Sequence, residues 1–420
     1  MLFLRMLNHP RRSQQRLGFL KYLIWQASSA TTNSLQTIGN RLVNAVSRKV
    51  SVALVSDLQD YIKYVLTDSK YDNLRSTTLK QERQNEPRIE IEIQDLYLSN
   101  PNLPSRRGKL VSDDWNRYPQ LAVDLHLLRR GTYSTMTRGR SFLSLVPDEE
   151  SKAFDIDIVN SPRITNPFFL SVAQKLLLLF SLVDADGDLL RPLYKILLSF
   201  ADPLTAADAG NYLPDVYRML AKEARNRVRS GDDSLRIQMI LDNAEKIEAV
   251  KRNPNPGGKN PREHGITVRL EPFVDIGLLD KVDPFTYSYR VTNATKRFFE
   301  PLLESESVDD FLNSRFFTTA NKSLNLNGEH TVASVTCLPM LQKAYNVLKS
   351  PVGYSPILEL CLLAGIYSLV EAGNYLEISE SIQILKSLQK DKPRLVTFNV
   401  DRWGMLNFVK FNDDLAKNGP

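Results

Sequence analysis

The spacing of apolar residues along the chain predicts long helical stretches separated by a few short strands. Residues 13–30 and 34–66 carry apolar side chains at helical spacing, and residues 168–252 form the most strongly helical region. The segment 88–98 alternates apolar and charged residues strictly, which is typical of a half-buried strand. Within 168–252, the acids of 184–188 are predicted to cap a new short helix, because acids accept the free amides at a helix start.

The last third of the chain is predicted to contain two helices followed by a β-hairpin. The apolar run 357–371 predicts a buried helix that ends near Gly373, where glycine is favoured just past a helix end. A second helix is predicted over 379–390. Two strands are predicted over 394–400 and 405–411, joined by a tight turn. The chain as a whole is therefore predicted to be mainly α with short β-hairpins, in an α+β arrangement.

Two other segments share one spacing of residues. The first copy has Leu127, Leu128, Tyr133, Gly139 and Phe142, and the second has Leu278, Leu279, Tyr289, Thr295 and Phe298. In both copies the tyrosine precedes the glycine or threonine by six residues and the phenylalanine follows it by three. This spacing predicts a buried helix end, a short exposed connection, a tyrosine-containing strand and the start of a basic helix.

That order resembles the second half of a winged helix-turn-helix domain, and so does the two-helix hairpin order of the last third. Each repeat departs once from the family pattern Tyr-x-x-Thr-x-x-Gly-x-x-Phe. Met136 stands where threonine is usual in the first copy, so Thr135 or Thr137 is expected to cap the following helix instead. Thr295 replaces the glycine in the second copy. The resemblance implies a recognition helix before each Leu-Leu pair, over 266–276 in the second copy, and wing cations that touch the DNA backbone.

The resemblance and the breaks in the pattern together predict a multi-domain chain. The segment 253–261 holds three prolines and two glycines, which predicts a linker. The predicted parts are a basic helical arm over 1–66, a first winged-helix-like module with its preceding strand over 67–146, a helical region over 168–252, a second winged-helix-like module over 262–303, and a C-terminal helical region with a winged-helix-like hairpin over 308–420.

Charge is concentrated at the start of the chain. Residues 1–56 contain eight basic residues and no acid, whereas the remaining 46 basic and 48 acidic residues sum to −2, which accounts for the net charge of +6. Three interpretations stay open for this arm. It contacts phosphates and gains affinity through counterion release; or residues 1–30 are a mitochondrial presequence, which is also rich in arginine and poor in acids; or it is an amphipathic helix with a solvated basic face.

The candidate nucleic-acid contacts follow from the arm, the repeats and the hairpin turn. They are Arg11, Arg12 and Arg16 in the arm, Arg129, Arg130, Arg138 and Arg140 in the first module, Arg262, His264, Arg269, Lys296 and Arg297 in the second, and Arg402 with Trp403 at the hairpin turn. Trp403 has two interpretations, stacking on a base, sugar or partner subunit and packing back onto its own hairpin.

Signatures of catalysis or of a bound metal are not found in the sequence. It contains no phosphate-binding loop, no Gly-x-Ser-x-Gly motif and no His-Glu-x-x-His motif. The group 184–188 fails as a calcium loop, because the first and twelfth ligand positions are Leu182 and Leu193. Cys337 and Cys361 lie among apolar residues, which predicts buried thiols in a reducing compartment. No cofactor and no metal are expected, and no apolar run is long enough to cross a membrane.

The sequence thus favours a non-enzymatic protein that binds double-stranded DNA, as a subunit of a DNA-processing or defence-type assembly. The alternative is a scaffold whose winged-helix-like modules bind partner proteins, because winged helices also serve in protein contacts. We expect a cytoplasmic or nucleoid-associated location, or a mitochondrial one if residues 1–30 are a presequence.

Overall fold

The computed structural model describes residues 4–7, 17–28, 117–146, 170–200, 203–228, 230–252, 261–282, 288–331, 334–400 and 406–412. Within these ranges the chain is mainly helical with small sheets, which confirms the predicted fold class at that level. The predicted helix over 34–66, the strand over 88–98 and residues 253–260 of the predicted linker lie outside the described residues, and the last linker residue, Pro261, instead begins a helix.

The elements follow one another in this order. The first part comprises α1 Phe19–Ser28, α2 Arg117–Asp124, α3 Thr137–Ser144, α4 Val172–Leu197, β1 Leu204–Thr205, α5 Ala206–Asn211, α6 Leu213–Arg225 and α7 Gly231–Arg252. The middle part comprises α8 Pro261–Ile276, β2 Leu279–Lys281, β3 Ser288–Val291, α9 Asn293–Glu304, α10 Val308–Ser314 and α11 Phe316–Ser323. The last part comprises β4 Glu329–His330, α12 Ser334–Leu348, β5 Ser355–Pro356, α13 Ile357–Glu371, β6 Asn374–Tyr375, α14 Ile378–Asp391, β7 Val396–Val400 and β8 Leu406–Phe411.

Two of the sheets have the same strand order. In each, the first strand along the chain pairs with the third, and the third pairs with the second, giving β1-β3-β2 and β5-β8-β7 with all pairs antiparallel. We call α4, β1, α5, α8, β2 and β3 the central unit, into which α6 and α7 are inserted. We call α12, β5, α13, α14, β7 and β8 the C-terminal unit. The predicted helices and hairpin of the last third are confirmed within one to two residues.

The two repeated segments begin with the same helix ending. His126 and Gly277 follow α2 and α8 with φ of +60° and +96°, and the next residue donates its N–H at 2.8 Å to the carbonyl five residues back in both copies. This is the Schellman arrangement that ends many helices. The helices α3 and α9 then begin at equivalent positions of the repeat. Tyr289 lies in β3 as predicted, whereas Tyr133 lies in a turn with φ of +48° rather than in a strand.

The difference between Gly139 and Thr295 has a local cause. The Thr295 hydroxyl donates to the carbonyl of Leu278, whereas a Cβ on Gly139 would lie 2.3 Å from the equivalent carbonyl of Leu127. The first copy therefore has no room for a side chain where the second makes a hydrogen bond. The expectation of a substitute cap was wrong, because Met136 occupies the N-cap of α3 and no side chain caps that helix.

Helix α4 runs through the acidic group that was expected to start a new helix. Asp184, Asp186 and Asp188 lie inside its 26 residues, each bonded to an arginine from another segment. Those ion pairs satisfy the carboxylates without a helix terminus, so the predicted break does not occur. Gly187 allows close packing of α10, since a Cβ there would lie 2.7 Å from Val308 Cγ1.

The hydrophobic core includes the start of the chain. In and just before α1, four large aliphatic side chains have no exposed surface, namely Leu17, Leu20, Leu23 and Ile24. The described part of the predicted arm is therefore packed against the body.

Both cysteines are buried as predicted, and burial raises the pKa of Cys337 to about 12. Among the described helices, none is long and apolar enough to span a membrane.

Candidate nucleic-acid interface

The predicted contact residues fall into three groups. Arg11, Arg12, Arg16, Arg402 and Trp403 lie outside the described residues, as does the side chain of His264. The buried residues are Arg138, Arg262 and Arg269. The accessible residues are Arg129, Arg130, Lys296 and Arg297, with Arg140 half-buried.

Arg269 lies inside the protein and not on a recognition surface. Its Nε donates to Asp186 Oδ2 at 2.7 Å, and the two side chains are 1% and 2% exposed. Burial favours a lower pKa for Arg269, but the carboxylate of Asp186 reverses this effect and the pKa is raised. All side chains from 266 to 274 are buried, so the face of α8 that was expected to enter a DNA groove is covered by protein. Arg269 and this helix are therefore not accessible to DNA, and their prediction as contacts was wrong.

Arg262 and Arg138 are also committed to internal partners. The guanidinium of Arg262 donates to the carbonyls of Ile247 and Glu248 at the end of α7, at 3.0 and 3.2 Å. Arg138 bonds Asp184 at 2.8 Å and Glu359 at 2.9 Å. Burial alone favours a lower pKa for Arg138, yet the two carboxylates raise it above its ordinary value. Both arginines therefore stabilise the fold and have no free face for phosphate.

The turn between α2 and α3 keeps its cations at the surface. Arg129 is exposed, and Arg130 is 70% exposed with its guanidinium 3.6 Å from Asp124. Arg140 donates to the Leu348 carbonyl at 3.3 Å, a contact to the C-terminal unit. Among the first-module candidates, Arg129 and Arg130 are thus the accessible ones.

The second pair of accessible candidates lies on α9. Lys296 is exposed. Arg297 is also exposed and donates to Asn325 Oδ1 at 3.3 Å. The same Nη1 also donates to the Lys322 carbonyl at 3.5 Å, which leaves Nε and Nη2 available to another partner. Lys296 and Arg297 remain candidates on α9.

Helix α14 of the C-terminal unit presents an exposed basic face that sequence reasoning missed. Its inner face packs through Ile378, Ser381, Leu385 and Leu388. Its outer face exposes Gln383, Lys386, Ser387 and Lys390, which recur at helical spacing. We call these four residues and Arg394 the α14 stripe. The 3-4 spacing of these polar residues is visible in the sequence, but the predicted contacts of the last third were placed only at the hairpin turn.

The start of α14 is fixed by contacts to the neighbouring helix. The carboxylate of Glu377 accepts the backbone N–H groups of Phe317 and Thr318, at 3.0 and 2.7 Å, and so caps α11. Burial raises the pKa of Glu377, and the amide hydrogen bonds oppose that rise. Glu380 accepts a bond from the amide of Glu377 and pairs with His330. These bonds set the direction in which the α14 stripe faces.

The α14 stripe lies in a positively charged part of the chain. Residues 378–412 contain six basic residues and three acids (Glu380, Asp391 and Asp401), which gives a net charge of +3. Within the described ranges, Lys386, Lys390 and Arg394 have no carboxylate partner. Three unpaired cations beside a neutral amide are the residue types that contact phosphate and base edges.

In the part of the chain that the structure describes, no group of three or more His, Cys, Asp or Glu side chains is placed to hold a metal ion. Comparisons with protein families, curated proteins and solved structures found no match to this chain.

Proposed function

We propose that this chain is a non-catalytic protein that binds double-stranded DNA, with the C-terminal unit as its interface. The observation that carries the proposal is the α14 stripe, in which the exposed helix residues Lys386 and Lys390 are followed by the exposed Arg394, and none of the three has a carboxylate partner among the described residues. The strand order β5-β8-β7 supports the resemblance to a winged helix, in which the first strand pairs with the third. In that arrangement α14 is the helix before the hairpin and occupies the place of a recognition helix.

The wing of this unit is the second element of the proposed interface. Strands β7 and β8 pair from Val396↔Phe411 to Val400↔Leu406, and the residues between them in the sequence, which lie outside the described ranges, include Arg402 and Trp403. A cationic wing beside a cationic helix face suits two adjacent stretches of DNA backbone. Arg129 and Arg130, on a wing-like turn of the first module, are proposed as further backbone contacts.

A subunit role in an assembly has its own support. On α7 of the inserted pair, Leu235 and Met239 are 64% and 59% exposed, one helical turn apart. Apolar side chains that stand out together from a surface favour a protein contact. We therefore retain a scaffold function, in which the modules bind partner proteins, as the second candidate.

The packing of α1 bears on the proposed location. Removal of residues 1–30 as a presequence would strip four fully buried leucine and isoleucine side chains from the core. Loss of several buried side chains of this size is strongly destabilising. This supports a cytoplasmic or nucleoid-associated protein over the mitochondrial alternative.

Fluorescence anisotropy with a labelled duplex of about 30 base pairs tests the DNA proposal. The wild-type protein is titrated at ~50 and ~200 mM salt, beside a triple variant with Lys386→Ala, Lys390→Ala and Arg394→Ala. Each phosphate contact contributes a slope of about 0.9 in log affinity against log salt, so the triple variant should lose about 2.7 in slope and about 100-fold in affinity near 100 mM salt.

The matched control removes three exposed lysines from other elements, through Lys195→Ala, Lys246→Ala and Lys322→Ala. It has the same net charge as the triple variant, so only the place of the charges differs. Equal losses in both variants would remove the α14 stripe as the interface. Failure of the wild type to bind at low salt would contradict DNA binding and favour the scaffold function.

A further inference from the structure

Residues 4–7 lie against α4 as a short docked peptide. The backbone N–H groups of Arg5 and Leu7 donate to Asp188 Oδ2 and Asp186 Oδ1, each at 2.8 Å. The Arg5 guanidinium bonds Asp309 Oδ1 at 2.6 Å and Asp184 Oδ1 at 3.3 Å. The side chain of Leu7 is 6% exposed and packs into the core. We call Asp184, Asp186, Asp188 and Asp309 the α4 cradle.

The helix carboxylates of the cradle are held in place by a second set of arginines. Asp184 pairs with Arg138 of α3 at 2.8 Å. Asp186 pairs with Arg269 of α8 at 2.7 Å, and Asp188 with Arg227 after α6 at 3.2 Å. Each of these acids thus has one partner in the body and one in residues 4–7. The arginines of the body therefore bind the same three carboxylates that residues 4–7 contact.

We infer that the α4 cradle is a binding site for an extended peptide of the form Arg-x-Leu, occupied here by the chain's own residues 4–7. Three features define the ligand. In an extended chain, alternate residues point the same way, so two N–H groups two residues apart meet two carboxylates on one side. The guanidinium requires two acids, which bind it more strongly than neutral acceptors do. The residue two positions later must be apolar to enter the core.

This site lies where the parts of the molecule meet. Arg138 reaches it from the first module and also bonds Glu359 of α13, in the C-terminal unit. Arg269 reaches it from the central unit, and Asp309 lies on α10. Residues 4–7 thus bond α4 and α10, and Arg138 and Arg269 extend the same cluster to α3, α8 and α13. The inference does not depend on DNA binding.

The test uses the full chain with a protease recognition sequence inserted within residues 8–16. The protein folds with its peptide tethered and is then cut. After cutting, the N-terminal fragment should remain bound during gel filtration. An excess of a fluorescent peptide of residues 1–7 should displace it and give a saturable anisotropy signal. The same peptide with Arg5→Ala or Leu7→Ala should bind at least about tenfold more weakly, because each change removes an anchoring group.

A second measurement uses uncut protein and no added peptide. Arg5→Ala in the full chain should lower Tm by several degrees, whereas Arg315→Ala, an exposed arginine with no ion pair within the described residues, should leave it within about 1 °C. A cut protein that neither retains the fragment nor binds the peptide would overturn the inference. So would binding that is unchanged by both alanine peptides.

Discussion

The central and C-terminal units have the same strand order, yet their third helices have opposite surroundings. In α8 every side chain from 266 to 274 is buried, whereas α14 exposes one face along its length. Arg269 of α8 is neutralised by Asp186, while Lys386 and Lys390 of α14 have no acidic partner in the described ranges. A shared topology therefore does not give the third helix the same exposure; the charges and packing around that helix decide it.

The two helices also differ in where their charged side chains lie. Glu271 of α8 accepts bonds from Lys281 at 2.8 Å and from the Tyr289 hydroxyl at 2.7 Å, so its charge is balanced by the adjoining sheet. In α14 the charged residues follow one another at helical spacing on the solvent side. The sequence of α8 thus suits a fully buried helix, and the sequence of α14 suits a helix with one buried and one exposed face.

The largest expected effect comes from breaking the buried pair of the central unit. Arg269→Ala should lower the free energy of unfolding by about 3–5 kcal/mol, because it leaves Asp186 as a buried charge with only the amide of Leu7. Urea denaturation followed by circular dichroism measures this change.

Lys386→Ala is the matched control on α14. It removes an exposed cation from the equivalent helix and should change the free energy of unfolding by no more than about 0.5 kcal/mol. Similar losses in the two variants would contradict the contrast between an enclosed and an open third helix.

The first module provides a test of close packing in the repeated segment. Gly139→Ala should cost about 1–3 kcal/mol, because the new Cβ would lie 2.3 Å from the Leu127 carbonyl oxygen and the turn would have to move. Gly231→Ala meets no atom within 4 Å and should be neutral or stabilising by up to about 1 kcal/mol. Thermal unfolding of both variants distinguishes a tight contact from a general preference against glycine.

Acid should weaken the ion pairs that Asp184 makes with Arg138 and Arg5. Burial favours a higher pKa for Asp184, but Arg138 and Arg5 outweigh burial and hold that pKa below its ordinary value. A carboxylate with a lowered pKa in the folded state contributes stability above its unfolded pKa, and this is lost as pH falls through the folded value.

We therefore expect wild-type stability to fall below about pH 4, with Asp184→Asn already less stable by about 1–3 kcal/mol at pH 7. The variant should show a smaller further loss on acidification. Parallel slopes for the two proteins between pH 5 and 2, measured by urea denaturation, would show that Asp184 does not titrate as argued.

The smallest expected effect is a gain in duplex affinity from an added cation on α14. Gln383→Lys adds a cation at the middle of the α14 stripe and should raise duplex affinity about fivefold near 100 mM salt, with the salt slope larger by up to about 0.9. Asn243→Lys, an exposed position on α7, adds the same charge elsewhere and is the control. An equal gain in both variants, measured by anisotropy, would indicate a general charge effect.

Local features of the fold followed from the sequence alone. The apolar run 357–371 matches α13 residue for residue, and Gly373 follows it with φ of +66°. The hairpin of β7 and β8 and the shared ending of α2 and α8 were visible as spacings of a few residues. Helix caps and hairpins depend on neighbours in the chain, so a single sequence contains enough information to place them.

The tertiary structure alone decided which charges face solvent. Arg138 was expected to meet phosphate, but its partner Glu359 lies 221 residues away. The acids of α4 were expected at a helix start, yet arginines from three distant segments keep them inside one helix. A basic residue before a Leu-Leu pair looks the same in the sequence whether its partner is DNA or aspartate. Burial and ion pairing are set by contacts between remote parts of the chain. Those contacts make α8 a buried helix and leave one face of α14 exposed.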